Sequence, residues 1–305
     1  MISRQIALMR REVWEHRSLY VTPAVVALVM TLMLLTGYIF ASGYKDLVDI
    51  GIVGAQNLAA DAHRRTALAA FLVGNSVIFI FASGILTIFY CLDALYAERK
   101  DRSILFWRSL PLTDAETVIS KLLTAVIVIP LITFGVVVVA HLVNLLLTSI
   151  FVAIEGGSPV FMIWKSVPLF DVWATMLIVM LLLPIWFCPF IGWFLFVSAW
   201  TKRSPLLTAF LPLALVPMLE YFILRTHLVG DAIKDRLTEL PLFSGIDPEV
   251  FFDEKALAAR SDAISLLNLI DPGKFLAAPA TWAGIVVCGL FVTGAIYIRR
   301  YRDDS

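Results

Sequence analysis

The chain has 305 residues, 60% of them hydrophobic and only 16% charged, with a formal net charge of +0 and a mean hydropathy of +0.88. A water-soluble domain needs about a quarter of its residues charged, so a soluble globule is excluded, and the neutral balance gives no basic signal for nucleic acid. The apolar residues fall in long runs that lipid can solvate, leaving room for one membrane bundle and its loops.

Residues 1–18 read as an amphipathic helix lying in the membrane interface. Ile2, Ile6, Met9 and Val13 recur at helical spacing beside Arg4, Arg10, Arg11 and Arg17. Residues 19–305 read as an all-α membrane domain with six spans, at about 19–41, 67–97, 113–154, 172–200, 206–228 and 281–298. The first run is longer than the about 7–15 residues of a signal-peptide core, so no cleavable leader is expected. The second and third exceed what a bilayer about 30 Å thick requires, and should tilt or project from it.

Between them, residues 98–112 form a connector rich in both charge and large apolar groups. Thr113 and Glu116 make a capping box at the start of the third helix. Pro184 and Pro189 interrupt the fourth span, and Pro212 and Pro217 should kink the fifth. Residues 230–279 form an outer section of short helical pieces. Lys and Arg cluster at the span ends that include Arg99, Lys100, Lys202, Arg203, Arg299 and Arg300, so both termini are expected in the cytoplasm.

Few residues invite chemistry. Cys91, Cys188 and Cys288 lie inside apolar runs, which reads as small buried hydrophobes. His141 and Asn144 share a face of the third span, Glu220 lies in the fifth, and Asp93 sits near the inner end of the second. These four are either pathway-lining groups or ordinary helix–helix and interfacial contacts. Ser83 opposite His141 could imitate an intramembrane serine protease, but Phe81 stands where that pattern needs glycine. The only Gly-Lys pair, Gly273-Lys274, lacks the rest of a phosphate loop, so energy must come from another polypeptide or an ion gradient.

The connector carries a resemblance. Its residues run Glu98-Arg99-Lys100-Asp101-Arg102-Ser103-Ile104-Leu105, then Ser109-Leu110-Pro111-Leu112-Thr113, then Lys121. This text, together with the amphipathic start, six spans and basic tail, resembles the membrane subunit of ABC-2 (type V) ABC transporters. The resemblance implies an ATP-driven permease, expected to be an exporter, in a prokaryotic inner membrane. It would work as a dimer of permeases amid membrane lipid, with separate ATP-binding cassette subunits. ATP and Mg would then bind the partner subunit, and this chain would bind no cofactor or metal and hold no catalytic residue. The coupling contacts implied are Ile104, Phe106, Trp107 and Leu110, with Glu98 and Arg102 setting register by charge. A possible pathway would be lined by His141, Asn144 and Glu220. The competing reading is an ion-coupled secondary transporter using Glu220 or His141, against which the chain shows no inverted repeat.

Overall fold

The computed structural model describes residues 2–41, 43, 61–101, 112–243 and 265–301, and no strand occurs among them. The connector residues Arg102, Ile104, Phe106, Trp107 and Leu110 lie outside the described residues. Helix α1 (Ile2–Glu15) is followed by α2 (Ser18–Ala41), then α3 (Asp61–Ala94) and its short continuation α4 (Tyr96–Lys100). After the connector come α5 (Asp114–Leu123) and α6 (Ile129–Ile154), joined by a π-helical turn at Thr124–Val128. Next are α7 (Leu169–Trp186), α8 (Cys188–Trp200), α9 (Pro205–Leu224) and α10 (Leu228–Thr238). Helices α11 (Pro272–Ala277) and α12 (Pro279–Tyr301) close the described chain. Six helices among these residues are long and apolar enough to cross a membrane, so the chain is an all-α integral membrane protein.

Each irregularity has a local cause. The capping box is present: Glu116 N donates to Thr113 Oγ1 at 3.1 Å and Thr113 N to Glu116 Oε2 at 2.9 Å. The π turn lies just ahead of Pro130. A proline ring clashes with the carbonyl four residues back, and an inserted residue relieves the clash without ending the helix. Pro189 cannot donate its missing N–H, and the fourth span breaks at Phe187 into α7 and α8. Leu95 separates α3 from α4, and the amides of Leu95 and Tyr96 donate instead to Ser198 Oγ at 3.0 and 2.9 Å. That hydroxyl ties the second span to the end of the fourth.

Contacts establish which helix ends lie together. At one end meet α1, the start of α2, the end of α4, the start of α5 and the end of α12. The end of α8 joins them, because Arg99 donates to the carbonyls of Ser198 and Thr201. Just above this level a core forms from Leu19, Leu86, Tyr90, Ile129, Leu195 and Ala209, contributed by α2, α3, α6, α8 and α9. The stretch Asp114–Ile154 has 41 residues, about 60 Å of helix, twice the hydrocarbon thickness. The described pieces of the outer section fold back onto the bundle: Leu242, Ile270 and Phe275 pack with Val179 and Trp186 of α7.

Candidate functional site

The densest grouping of charge is buried at the α1 end of the bundle. Glu12 is fully buried and Lys121 is 1% exposed. Lys121 Nζ lies 3.0 and 3.2 Å from the two oxygens of Glu12 and 3.0 Å from Glu98 Oε1. The other Glu98 oxygen accepts from Arg299 Nη1, and Arg299 Nε donates to Asp114 Oδ1 at 3.0 Å. Arg11 Nη2 bridges Glu12 at 2.8 Å and Glu98 at 3.3 Å. Tyr90 donates its hydroxyl to Glu12 at 2.9 Å. Among the described residues the carboxylates of Glu12, Glu98 and Asp114 thus meet the cations Arg11, Lys121 and Arg299, and Arg11 also reaches Glu15 at 3.2 Å.

The local sequence explains how these groups arrive. Along α1, Leu8 and Glu12 are four residues apart, share one face and are both buried, while Ile6 is 56% exposed on another. The helix therefore docks on protein through its Glu12 face and keeps Ile6 open. Gln5 extends that docking face, donating to the Glu116 carbonyl at 3.3 Å. Helix α4 carries Glu98 in the last turn before the connector. Helix α5 presents Asp114 in its first turn and Lys121 two turns later, directly after the connector. Both roots of residues 102–111 are therefore held in one ionic joint with α1 and α12. Buried pairs of this kind add little net stability but strongly favour one arrangement over others.

Of the residues singled out in the sequence, Glu98 and Lys121 fall in this joint, together with Arg11 and Arg299, which the sequence marks only as basic charges. His141 and Asn144 lie deeper in the bundle, 0% and 1% exposed. Trp173 Nε1 can only donate, so His141 Nδ1 accepts, at 3.2 Å. The ring proton then sits on Nε2, directed at Ser76 Oγ 3.2 Å away, whose hydroxyl donates on to the Leu72 carbonyl. This is a neutral, fully partnered imidazole joining three spans. Asn144 Oδ1 accepts from Thr31 of α2 at 2.9 Å. Glu220 stands apart: Thr226 Oγ1 and the amides of Leu228 and Val229 all donate to its carboxylate, at 2.7–2.9 Å. It caps the start of α10 across a turn made by Arg225, whose φ of 55° is left-handed. The fifth helix consequently ends at Leu224, and the next residues turn back rather than continuing to 228.

Glu220→Ala is accordingly expected to loosen this turn and speed tryptic cleavage after the exposed Arg225. Digestion of the solubilised protein, followed by mass spectrometry of the fragments, reads the rate; an unchanged rate would mean the cap does not hold the turn.

Sequence reasoning named Arg299 only as a charge at a span end and missed Glu12, Asp114 and Asp171. The last accepts from Ser265 Oγ and from the amides of Leu266, at 2.7 Å, and Leu267, at 3.3 Å, pinning the outer section to α7. One signal for Glu12 existed, an acid directly after the pair Arg10-Arg11. Arg236 of α10 packs over Trp186, 4.0 Å from the ring centroid, and donates to the Ala280 carbonyl. No group of His, Cys, Asp or Glu among the described residues is disposed to hold a metal.

Six apolar helices long enough to cross a bilayer define the class as a polytopic membrane protein. The particular family comes from comparison with known proteins: the profile of the ABC-2 family transporter proteins matches residues 66–224, just over half of the chain. The chain belongs to that family and is a membrane component of a transporter. No curated protein and no solved structure matches it.

Proposed function

We propose that the chain is the permease half of an ATP-driven exporter of a prokaryotic inner membrane. Two copies would work with separate ATP-binding cassette subunits that carry ATP and Mg, and both termini would lie in the cytoplasm. One observation supports this above the rest: the buried network of Glu12, Glu98, Lys121, Arg299 and Asp114 anchors both roots of the 102–111 connector. A partner that displaced the connector would load α1, α4, α5 and α12 at once, because their charges are shared. An ionic joint transmits such a push as rigid-body motion, since separating any one pair strands a buried charge.

The orientation is supported by Arg4, Arg10, Arg11, Arg17, Lys202, Arg203 and Arg300, which all belong to the joint's end of the bundle. Pairing of two copies is supported by α2 and α9, whose apolar windows are only 11% and 6% buried against 39% for α7. Their remaining surface is open to lipid or to a second chain. A carrier driven by an ion gradient finds less support. His141 has both ring nitrogens engaged, and Glu220 is held as a helix cap.

The experiment changes Phe106 and Trp107 together to Ala and purifies the tagged chain from native membranes. An ATP-binding subunit identified by mass spectrometry with the parent should be lost from the variant. Undiminished recovery with the variant would overturn the coupling role of the connector.

A further inference from the structure

A lateral cavity of about 490 Å³ opens between α2, α3 and α9, just above the ionic joint. Its volume is in the range of sites for drug-sized molecules, about 300–1,000 Å³. Ile85, Phe89, Asp93 and Tyr96 of the second span line it at spacings of four, four and three, and therefore share one helical face. Leu206 of α9 closes the far wall. Ile85 and Phe89 are 57% and 58% exposed, so the wall is apolar and accessible from the membrane side.

Asp93 is the exception on this face. Its side chain is exposed, and among the described residues its carboxylate has no ion pair and no hydrogen bond. Two polar groups that line the cavity with it are engaged elsewhere. His16 lies 3.7 Å from Glu12, and Tyr96 donates its hydroxyl to the Arg203 carbonyl. A carboxylate at the head of an apolar slot, flanked by aromatic faces, has the complement of a cation with a greasy body. From Asp93 to Ile85 the wall runs eight residues, about 12 Å, long enough to cover several rings or a short chain.

We propose that this cavity binds a lipophilic organic cation. The cationic centre pairs with Asp93 between Phe89 and Tyr96, and the apolar body lies along Ile85 and Leu206. In the exporter read above, this is where substrate is taken from the inner leaflet. That second step rests on the proposed function; binding itself does not. The occupant is a freely exchanging monocation, not a bilayer phospholipid.

The test uses the full chain with whatever subunits co-purify, in phosphatidylcholine nanodiscs, with radiolabelled tetraphenylphosphonium as the probe. Saturable binding is expected, weakened about tenfold by Asp93→Asn through loss of the ion pair and kept by Asp93→Glu. Tetraphenylborate, equal in size and opposite in charge, should not compete. Asp93 is exposed, so Asp93→Asn should elute as the parent does, and a variant that aggregates is replaced by Phe89→Ala, expected to weaken binding severalfold. Affinity within twofold of the parent in the folded variants would overturn the proposal. So would loss of binding in phosphatidylethanolamine nanodiscs, which would make an amino-lipid the occupant. Asp93-dependent binding without a co-purifying ATP-binding subunit would leave the cavity standing and sink the exporter reading. Co-purification with binding indifferent to Asp93 would do the reverse.

Discussion

Lys121→Met is expected to destabilise the solubilised protein by about 3–5 kcal/mol, the cost typical of removing one partner from a buried ion pair. Lys121 is 1% exposed and touches both Glu12 and Glu98, which are themselves 0% and 7% exposed. Methionine fills most of the same volume, so the loss is electrostatic rather than a cavity. Glu12 would keep Arg11 and the Tyr90 hydroxyl, but it and Glu98 would both lose the ammonium they share. Lys121→Arg is no rescue, since a planar fork does not fit a slot shaped for a compact ammonium. Glu12→Gln in the same chain should return part of the loss. The two changes together should therefore cost about 1–3 kcal/mol less than their sum. The measurement is the midpoint of thermal loss of monodisperse elution for parent, single and double variants. A Lys121→Met midpoint close to that of the parent would mean that water reaches the network, and the rigid-joint argument would fail with it.

What the sequence made legible was local. The capping box at Thr113 and Glu116 needs only four consecutive residues, and the break at Phe187 needs only two nearby prolines. Six apolar runs announce six spans because lipid imposes length and composition alone. The ionic joint could not be read the same way. Glu12 lies outside the apolar stripe of Ile2, Ile6, Met9 and Val13, where a solvated acid is the ordinary outcome. Its burial depends on Lys121, 109 residues away, and on Arg299, which reaches Glu98 across 201 residues. Lys121 drew attention through its place after the connector, yet nothing in the pattern said which acid it would meet. The contacts of Glu220 were hidden for a related reason. An acid inside an apolar run suggests a pathway, but the left-handed turn at Arg225 brings the next helix start onto it. His141 and Asn144 were correctly placed on one helix face, while their partners Ser76, Trp173 and Thr31 come from three other helices.

Gly192→Leu should abolish recovery of folded protein, with Gly192→Ala intermediate, because α8 and α12 touch through backbone at this point. A Cβ on Gly192 would stand 3.0 Å from the Cα, the carbonyl oxygen and the Sγ of Cys288. Backbone atoms cannot rotate aside, so relief requires the helices to part. One surplus methylene group in a tight core costs about 1–3 kcal/mol, and leucine adds four carbons at a contact built for none. The pairing has a second close approach at Gly294, where a Cβ would lie 2.9 Å from the ring of Phe196. Small residues on both helices set their separation, as in membrane helix pairs generally. The consequence extends to the ionic joint. Arg299 lies on α12, eleven residues below Cys288, so a helix pushed away at Gly192 draws its guanidinium from Glu98 and Asp114. Cys288 itself reports the movement, being 2% exposed. In a chain keeping it as the single cysteine, maleimide should label it faster in Gly192→Ala than in the parent. Combining Gly192→Ala with Arg299→Gln should then cost less than the two separate losses added, since both release the same helix. Labelling as slow as the parent's would mean that α12 holds its place. The link between this helix pair and the charges beneath it would then be broken.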